Sequence, residues 1–305
     1  MTAWLRLVRL PNLATAAADS LAGYLVVAGL RDVAWPPLPC GLAVLASLCF
    51  YAAGMILNDV YDVAVDRVER PERPLPQGAI GVGQAFTVAH VLMAIAAGAA
   101  SAAAFLAGSP WAAFVGAALT GAIWLYDRHA KHNATGPVVM GMCRGLNWLL
   151  GMTAAGGPLQ VHEWAIPAGM AVYVAGITLF ARDEAGRSRV AALVVATLVM
   201  VAGLAVAAGF VWLRPGGPSL GGTRLPVSTW LALWGVLSAS IVARAVAAIA
   251  DPSPSRVRMA VGNAIMSIIT LDAVLVLAAC GESWAVVVLC LLGVFLVGRR
   301  LVPPT

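Results

Sequence analysis

Charged residues are scarce in this chain: they make up 11% of its 305 residues, whereas 61% of the residues are hydrophobic. Soluble domains carry about 25% charged residues. The five cysteines form no Cys-x-x-Cys pair, and the four histidines lack the His-Glu-x-x-His spacing of a zinc site. No glycine-rich phosphate loop or dinucleotide fingerprint is present either. These absences argue against a soluble nucleotide-binding enzyme and against a zinc enzyme.

Long apolar segments take up most of the chain. Ten can be delimited: 13–30, 40–57, 86–107, 111–126, 138–155, 164–180, 191–213, 228–250, 260–279 and 284–297. Most are long enough to cross about 30 Å of hydrocarbon as a helix, although the last is short. The longest polar connection runs only from Asn58 to Gln84, which leaves no room for a soluble domain. We expect an all-α, polytopic transmembrane bundle of nine to ten spans, with residues 1–305 forming one integral membrane domain.

The distribution of positive charge indicates how the bundle is oriented. With a cytoplasmic N-terminus, most of the 19 Lys and Arg residues fall on the cytoplasmic side, and Arg31, Arg214 and Arg224 fall on the other. Basic segments tend to stay in the cytoplasm. An even number of spans is therefore favoured, because it keeps Arg299 and Arg300 near the C-terminus on the same side as the N-terminus. We expect a protein of the bacterial inner (cell) membrane with the motif-bearing loops in the cytoplasm. Nothing in the charge pattern suggests nucleic acid, and no protein partner is indicated.

A row of oxygen ligands follows the second apolar segment. Asn58, Asp62 and Asp66 are spaced four apart, so a continuing helix projects them from one face, with Asp59 about one residue step away. Carboxylate and amide oxygens suit Mg²⁺, which usually takes phosphate oxygens as further ligands. The row therefore predicts catalytic and metal-binding residues for a diphosphate substrate at a membrane. The alternative is an ordinary solvated acidic loop.

Two cations near this row are candidates for phosphate binding. Arg73 lies in the stretch 70–78, whose prolines prevent the helix from continuing. It is structural if it pairs with an aspartate and a substrate-binding residue if it pairs with phosphate. Lys131, the only lysine of the chain, falls on the same side of the membrane after the fourth segment. It is either a phosphate ligand or a cation that sets topology.

Polar residues also occur inside or just after other segments. Arg144 and Asn147 lie about one turn apart in the fifth segment, where an arginine must face the bundle interior. They form either a structural ion pair or part of a polar cavity that binds substrate. Asp183, Glu184 and Arg187 follow the sixth segment on the side of Asp59. They are candidate substrate-binding residues, and a solvated loop is the alternative.

These motifs resemble those of the UbiA superfamily of intramembrane prenyltransferases. The stretch from Asn58 to Asp66 matches its Asn-Asp-x-x-Asp-x-x-x-Asp motif, and Arg73-Pro74-Leu75-Pro76 is similar to the basic segment that follows it. The stretches 144–147 and 182–188 resemble the EboC-like branch. Membership implies a bundle with a central cavity open to lipid, a prenyl diphosphate substrate, a membrane lipid environment and Mg²⁺ held by residues that include Asp183.

The second motif departs from the family pattern. The family carries two aspartates four apart, but here Arg187 stands four residues after Asp183, and Glu184 is the only other acid. Arg187 either binds a diphosphate oxygen directly or marks the loss of prenyl transfer. The first hypothesis is therefore a Mg²⁺-assisted prenyltransferase acting on an unidentified acceptor. The alternative is a non-catalytic carrier of a lipid-linked or small polar metabolite.

Overall fold

A computed structural model describes residues 2–31, 37–182, 186, 188–215, 218–221, 223 and 225–301. The regular secondary structure of these residues is helical, without a strand, which confirms the all-α prediction. The helices are α1 (Thr2–Leu7), α2 (Leu10–Leu30), α3 (Pro37–Glu69), α4 (Val82–Leu106), α5 (Trp111–Leu125), α6 (Gly136–Ala154), α7 (Ala165–Phe180), α8 (Val190–Ala208), α9 (Val227–Ala250), α10 (Pro254–Cys280) and α11 (Glu282–Leu301).

Each of the ten apolar segments corresponds to one of the helices α2 to α11. Within the described residues, eight of these helices are long and apolar enough, by length and composition, to cross a membrane, with α7 extended by the 3₁₀ turn Val161–Trp164. The other two are α5, with 15 residues, and α6, with 19 residues including Arg144. The segment that looked short in the sequence belongs to α11, which has 20 residues. The chain is an integral membrane protein.

Hydrophobic packing divides the bundle into two large clusters. One cluster joins buried residues of α2 with those of α6 to α11, and the other joins α3, α4 and α5. The helix α6 contributes Trp148 to the first cluster and Leu150 to the second. It also packs against α2, α3, α5 and α7, so it forms the centre of the bundle.

Glycines allow α2 and α6 to approach closely. A Cβ atom added at Gly23 would lie 2.5 Å from the carbonyl oxygen of Trp148, and one added at Gly151 would collide with the carbonyl of Ser20. Small residues at such crossings let helix backbones touch inside a membrane. The close crossing brings the polar residues of α2 against those of α6.

Candidate active site

The acidic row lies on a continuous helix, as predicted. Helix α3 extends from its apolar part through Asn58 and Asp66 to Glu69, and it ends just before Pro71. The ring of Pro71 cannot be accommodated in a continuing helix. The proline-containing stretch 70–78 then folds back in turns, which carries Arg73 to the side of α3.

The carboxylates of this row fall into two groups rather than one. Arg73 Nη1 lies 2.8 Å from Asp66 Oδ2 and 3.4 Å from Asp59 Oδ1, and all three residues are buried. Asp59 and Asp66 are seven residues apart, and seven residues bring a helix back to within about 20° of the same face. Asn58 and Asp66 are eight residues apart, and eight residues rotate the helix about 80° past that face at 3.6 residues per turn. Asp66 therefore pairs through Arg73 with Asp59, and the expectation that it shares one face with Asn58 and Asp62 is corrected.

The second group surrounds Asp62 and Asn58. Lys131 Nζ lies 2.7 Å from Asp62 Oδ1 and donates a hydrogen bond of 3.2 Å to the backbone oxygen of Asn58. His132 Nε2 lies 3.4 Å from the same Asp62 oxygen. The sequence placed Lys131 on the same side of the membrane as the acidic row, and the structure places it in direct contact with Asp62.

A fourth carboxylate, Asp127, belongs to this site but was missed by the sequence analysis. It lies beyond the end of α5 in a π-helical turn, Tyr126–Ala130, a conformation that often marks functional sites. The Asn58 side chain donates to Asp127 Oδ1 over 3.3 Å, and Oδ2 has no hydrogen-bond partner among the described residues. Burial raises the pKa of Asp127 to about 7. Its position four residues before Lys131 was the available signal.

Arg9 was considered only for topology in the sequence, but it reaches the first carboxylate group. Its Nη2 atom donates to Asp59 Oδ1 over 3.3 Å. The residue has a positive φ of 49° at the break between α1 and α2, a backbone conformation that non-glycine residues rarely adopt. This left-handed turn places the guanidinium at the mouth of the bundle.

A cavity of about 290 Å³ opens beside these residues, among α2, α3, α5, α6, α7 and α10. Its lining includes Arg9 and Asp127, which contact Asp59 and Asn58 of α3, and Arg144 and Asn147, which contact Asp19 of α2. Its walls include apolar side chains such as Phe50, Leu119, Ile123, Val174, Ile265 and Ile268. The cavity therefore joins a charged rim to an apolar interior, a combination suited to an amphipathic ligand.

Arg144 and Asn147 belong to a buried polar cluster and also line the cavity. Arg144 Nε lies 2.8 Å from Asp19 Oδ2, and Asn147 Nδ2 donates to the same oxygen over 2.9 Å. Asp19 is fully buried, as is Asp272, which interacts electrostatically with both Asp19 and Arg144. The ion pair is structural, and Arg144 and Asn147 also line the cavity.

Among the described residues, no group of three His, Cys, Asp or Glu side chains is placed to hold a metal ion. The available oxygen donors at the rim are instead those of Asn58, Asp62 and Asp127, with Asp66 held by Arg73. Asp183, Glu184 and Arg187 lie outside the described residues.

Comparisons with known proteins agree on one family. The sequence model described as the UbiA prenyltransferase family matches residues 20–266. Digeranylgeranylglyceryl phosphate synthase of Metallosphaera sedula is 36% identical over 95 residues, which cover 31% of this chain and 32% of that protein. The corresponding synthase of Methanopyrus kandleri is 36% identical over 112 residues, covering 32% and 40%. The matched stretch thus spans about a third of the length of these curated relatives.

Solved structures show the same fold over nearly the whole chain. A UbiA homolog from Archaeoglobus fulgidus bound to DMAPP and Mg²⁺ has a TM-score of 0.65 at 14% identity, covering 94% of this chain and 99% of that one. An apo UbiA homolog from Aeropyrum pernix K1 has a TM-score of 0.60 at 18% identity, covering 85% and 96%.

Proposed function

Because the chain belongs to the UbiA prenyltransferase family, we propose that it transfers a prenyl group from a prenyl diphosphate to an acceptor within the membrane, with Mg²⁺ assistance. The observation that carries this proposal is the charged rim of the cavity. There Asp127 lines the cavity beside its apolar walls, Asn58 is hydrogen-bonded to Asp127, and Lys131 contacts both Asn58 and Asp62. A diphosphate head at the rim leaves the prenyl tail in contact with apolar walls.

The donor set at the rim fits Mg²⁺. This ion is usually held by one or two carboxylates together with substrate phosphates, rather than by a complete protein cage. Asn58 and Asp62 meet that description, and the unpartnered Oδ2 of Asp127 adds a further oxygen beside them. We propose Asn58 and Asp62 as metal ligands, and Asp66 as a further ligand once a diphosphate has replaced it as the partner of Arg73, with Asp59 in support. When bound, Mg²⁺ neutralises charge that develops on the diphosphate.

Arg73 and Lys131 are proposed to hold the diphosphate. In the transfer, the bond from C1 of the prenyl group to the diphosphate oxygen breaks, and its electron pair leaves with the diphosphate. The acceptor atom forms a new bond to C1 and loses a proton. Cations fixed beside the leaving group stabilise this developing charge without having to reorganise. Both cations are fixed here by carboxylates of α3.

The remaining assignments rest on the sequence. Arg144 and Asn147 are proposed to bind the acceptor, and Asp183, Glu184 and Arg187 the diphosphate, with Asp183 as a metal ligand. We also propose that residues 1–305 form one domain in a cell membrane with the motif loops in the cytoplasm. The named relatives are archaeal, so they give no support to a bacterial membrane in particular.

Support for the substrate class comes from neighbours of the same fold. Structures of the Archaeoglobus fulgidus homolog are described as bound to DMAPP and Mg²⁺ and to GPP and Mg²⁺. The curated relatives are named as synthases of digeranylgeranylglyceryl phosphate. A membrane-embedded prenyl acceptor is consistent with a site that lies among spanning helices.

The test is to incubate purified protein with radiolabelled prenyl diphosphates of several lengths, Mg²⁺ and a membrane extract. The proposal expects a labelled lipid product that disappears with EDTA and in the Asp62→Asn variant. Protein that binds the diphosphate but forms no product with any acceptor fraction contradicts it. Uptake of a labelled metabolite into vesicles without product supports the carrier.

A further inference from the structure

The net charge around Arg144 and Asn147 in the cavity differs from the net charge at the cavity rim. Arg144 alone would attract an anion, since a buried guanidinium seeks a carboxylate or phosphate. Here that requirement is already met by Asp19, 2.8 Å from Arg144 Nε and hydrogen-bonded by Asn147. The guanidinium is therefore neutralised by the chain itself before a ligand arrives.

A second carboxyl group belongs to the same cluster. Asp272 of α10 is fully buried and is hydrogen-bonded to Asp19. Two buried carboxyl groups side by side share one proton, so one carboxylate faces one guanidinium and the cluster has no net charge. An anion entering here would lose its hydration without finding an uncompensated cation.

Hydrogen-bond donors are nevertheless available at this place. The Nη2 atom of Arg144 is buried and has no hydrogen-bond partner in the described part of the chain. The polar residues of the cavity wall include the uncharged Asn12, Thr15, Ser47 and Tyr51, and the cation Arg9 in the same wall is paired with Asp59. An unpaired buried donor favours a ligand oxygen that accepts a hydrogen bond.

We propose that the Arg144–Asn147 end of the cavity binds the acceptor through an uncharged oxygen, as in a hydroxyl or carbonyl group, and discriminates against phosphate and carboxylate. This inference rests on the proposed prenyl transfer, because it concerns the second substrate of that reaction. The proposed arrangement places the two substrates in different parts of the cavity according to their charge. The anionic diphosphate belongs at the rim with Mg²⁺, and the neutral acceptor belongs beside the buried Asp19–Arg144 pair.

Matched probes test the inference without depending on turnover. One pair is para-hydroxybenzyl alcohol and para-hydroxybenzoate, and the other is a monoalkylglycerol ether and its phosphate monoester. Binding to the full-length protein is measured by calorimetry with Mg²⁺ and inorganic pyrophosphate present, so that the rim is occupied. The neutral member of each pair should bind more tightly, on the order of tenfold.

Variants then locate the source of the discrimination. Asp19→Asn combined with Asp272→Asn should reverse the ratio of the two dissociation constants, because Arg144 is then uncompensated. Asp272→Asn alone should leave the ratio unchanged, since Asp19 still neutralises Arg144, and so should Asp251→Asn, which removes an exposed carboxylate. The wild-type probes decide the charge preference if the double variant does not fold.

Several outcomes overturn the inference. These are equal binding of both members to the wild type, tighter binding of the anionic member, no binding of either, or an Asp19→Asn/Asp272→Asn double variant that folds without altering the ratio. Prenyl transfer with labelled diphosphate is measured separately. Its absence contradicts the proposed function, while the binding ratio still decides the charge preference of the cavity.

Discussion

Individual residues at the rim are held in place by ion pairs within the chain. Arg73 contacts both Asp59 and Asp66, and Lys131 contacts Asp62. These contacts orient the carboxylates before a ligand binds. When a diphosphate binds together with Mg²⁺, these arginine and lysine side chains can pair with phosphate oxygens while the carboxylates pair with Mg²⁺. Binding then leaves no unpaired charge in the low-dielectric site.

Asp62 is the residue on which the metal assignment depends most. Asp62→Asn keeps the shape of the side chain but removes the negative charge, so diphosphate binding in the presence of Mg²⁺ should weaken by roughly tenfold or more. Isothermal titration with inorganic pyrophosphate and Mg²⁺ measures this. Glu69→Gln, an exposed acid at the end of the same helix, is the matched control. Equal pyrophosphate affinity in wild type and Asp62→Asn would exclude Asp62 as a metal ligand.

Arg73 combines a structural and a binding role, and its removal should show both. Arg73→Gln leaves Asp59 and Asp66 buried without their shared cation, which costs about 3 kcal/mol or more. The Tm should fall, and pyrophosphate binding should be lost in the fraction that remains folded. Arg67→Gln changes an exposed arginine at the end of α3 and should alter neither quantity. An unchanged Tm in Arg73→Gln would contradict the buried pairing.

Helix assignment from sequence succeeded because its signal is local. Long apolar runs specify spanning helices, and each of the ten runs corresponds to one helix from α2 to α11. The grouping of Asp59 with Asp66 was missed because spacing by fours ignores the drift of a helix over two turns. Asp127 and Asp19 gave no motif of their own. Their roles depend on Asn58 and Arg144, which lie on other helices.

The crossing of α2 and α6 offers a test at the level of whole helices. Gly151→Ala places a methyl group against the backbone of Ser20, so the helices must separate, at a cost of about 1–3 kcal/mol. The variant should have a lower Tm and a disturbed Asp19–Asn147 contact, visible as lost acceptor binding. Gly235→Ala in α9 has open space around it and serves as the control. A Gly151→Ala protein as stable as the control would show that the crossing tolerates a Cβ.

At the scale of the whole molecule, the site requires its loops to share one side of the membrane. Gln77→Cys and Ala134→Cys, both at exposed positions near the rim, should react with a membrane-impermeant thiol reagent from the cytoplasmic side. Ser219→Cys, at an exposed position beyond α8, should react from the opposite side. The wild-type chain, with Cys290 exposed on α11, gives the background. Labelling of Gln77→Cys and Ala134→Cys from different sides would separate the residues of the proposed site.

The buried pairs also differ in when they become available during synthesis. Asp66 and Arg73 are seven residues apart and can meet as soon as that stretch leaves the ribosome. Asp19 and Asn147 are separated by 128 residues, so α2 enters the lipid while α6 does not yet exist. An acidic residue inside a lone spanning helix costs about 2.5–3.5 kcal/mol at insertion. Helix α2 is therefore held less stably in the membrane until α6 has been synthesised. A nascent chain arrested before Gly136 should be the form of this protein that is most easily extracted from the membrane.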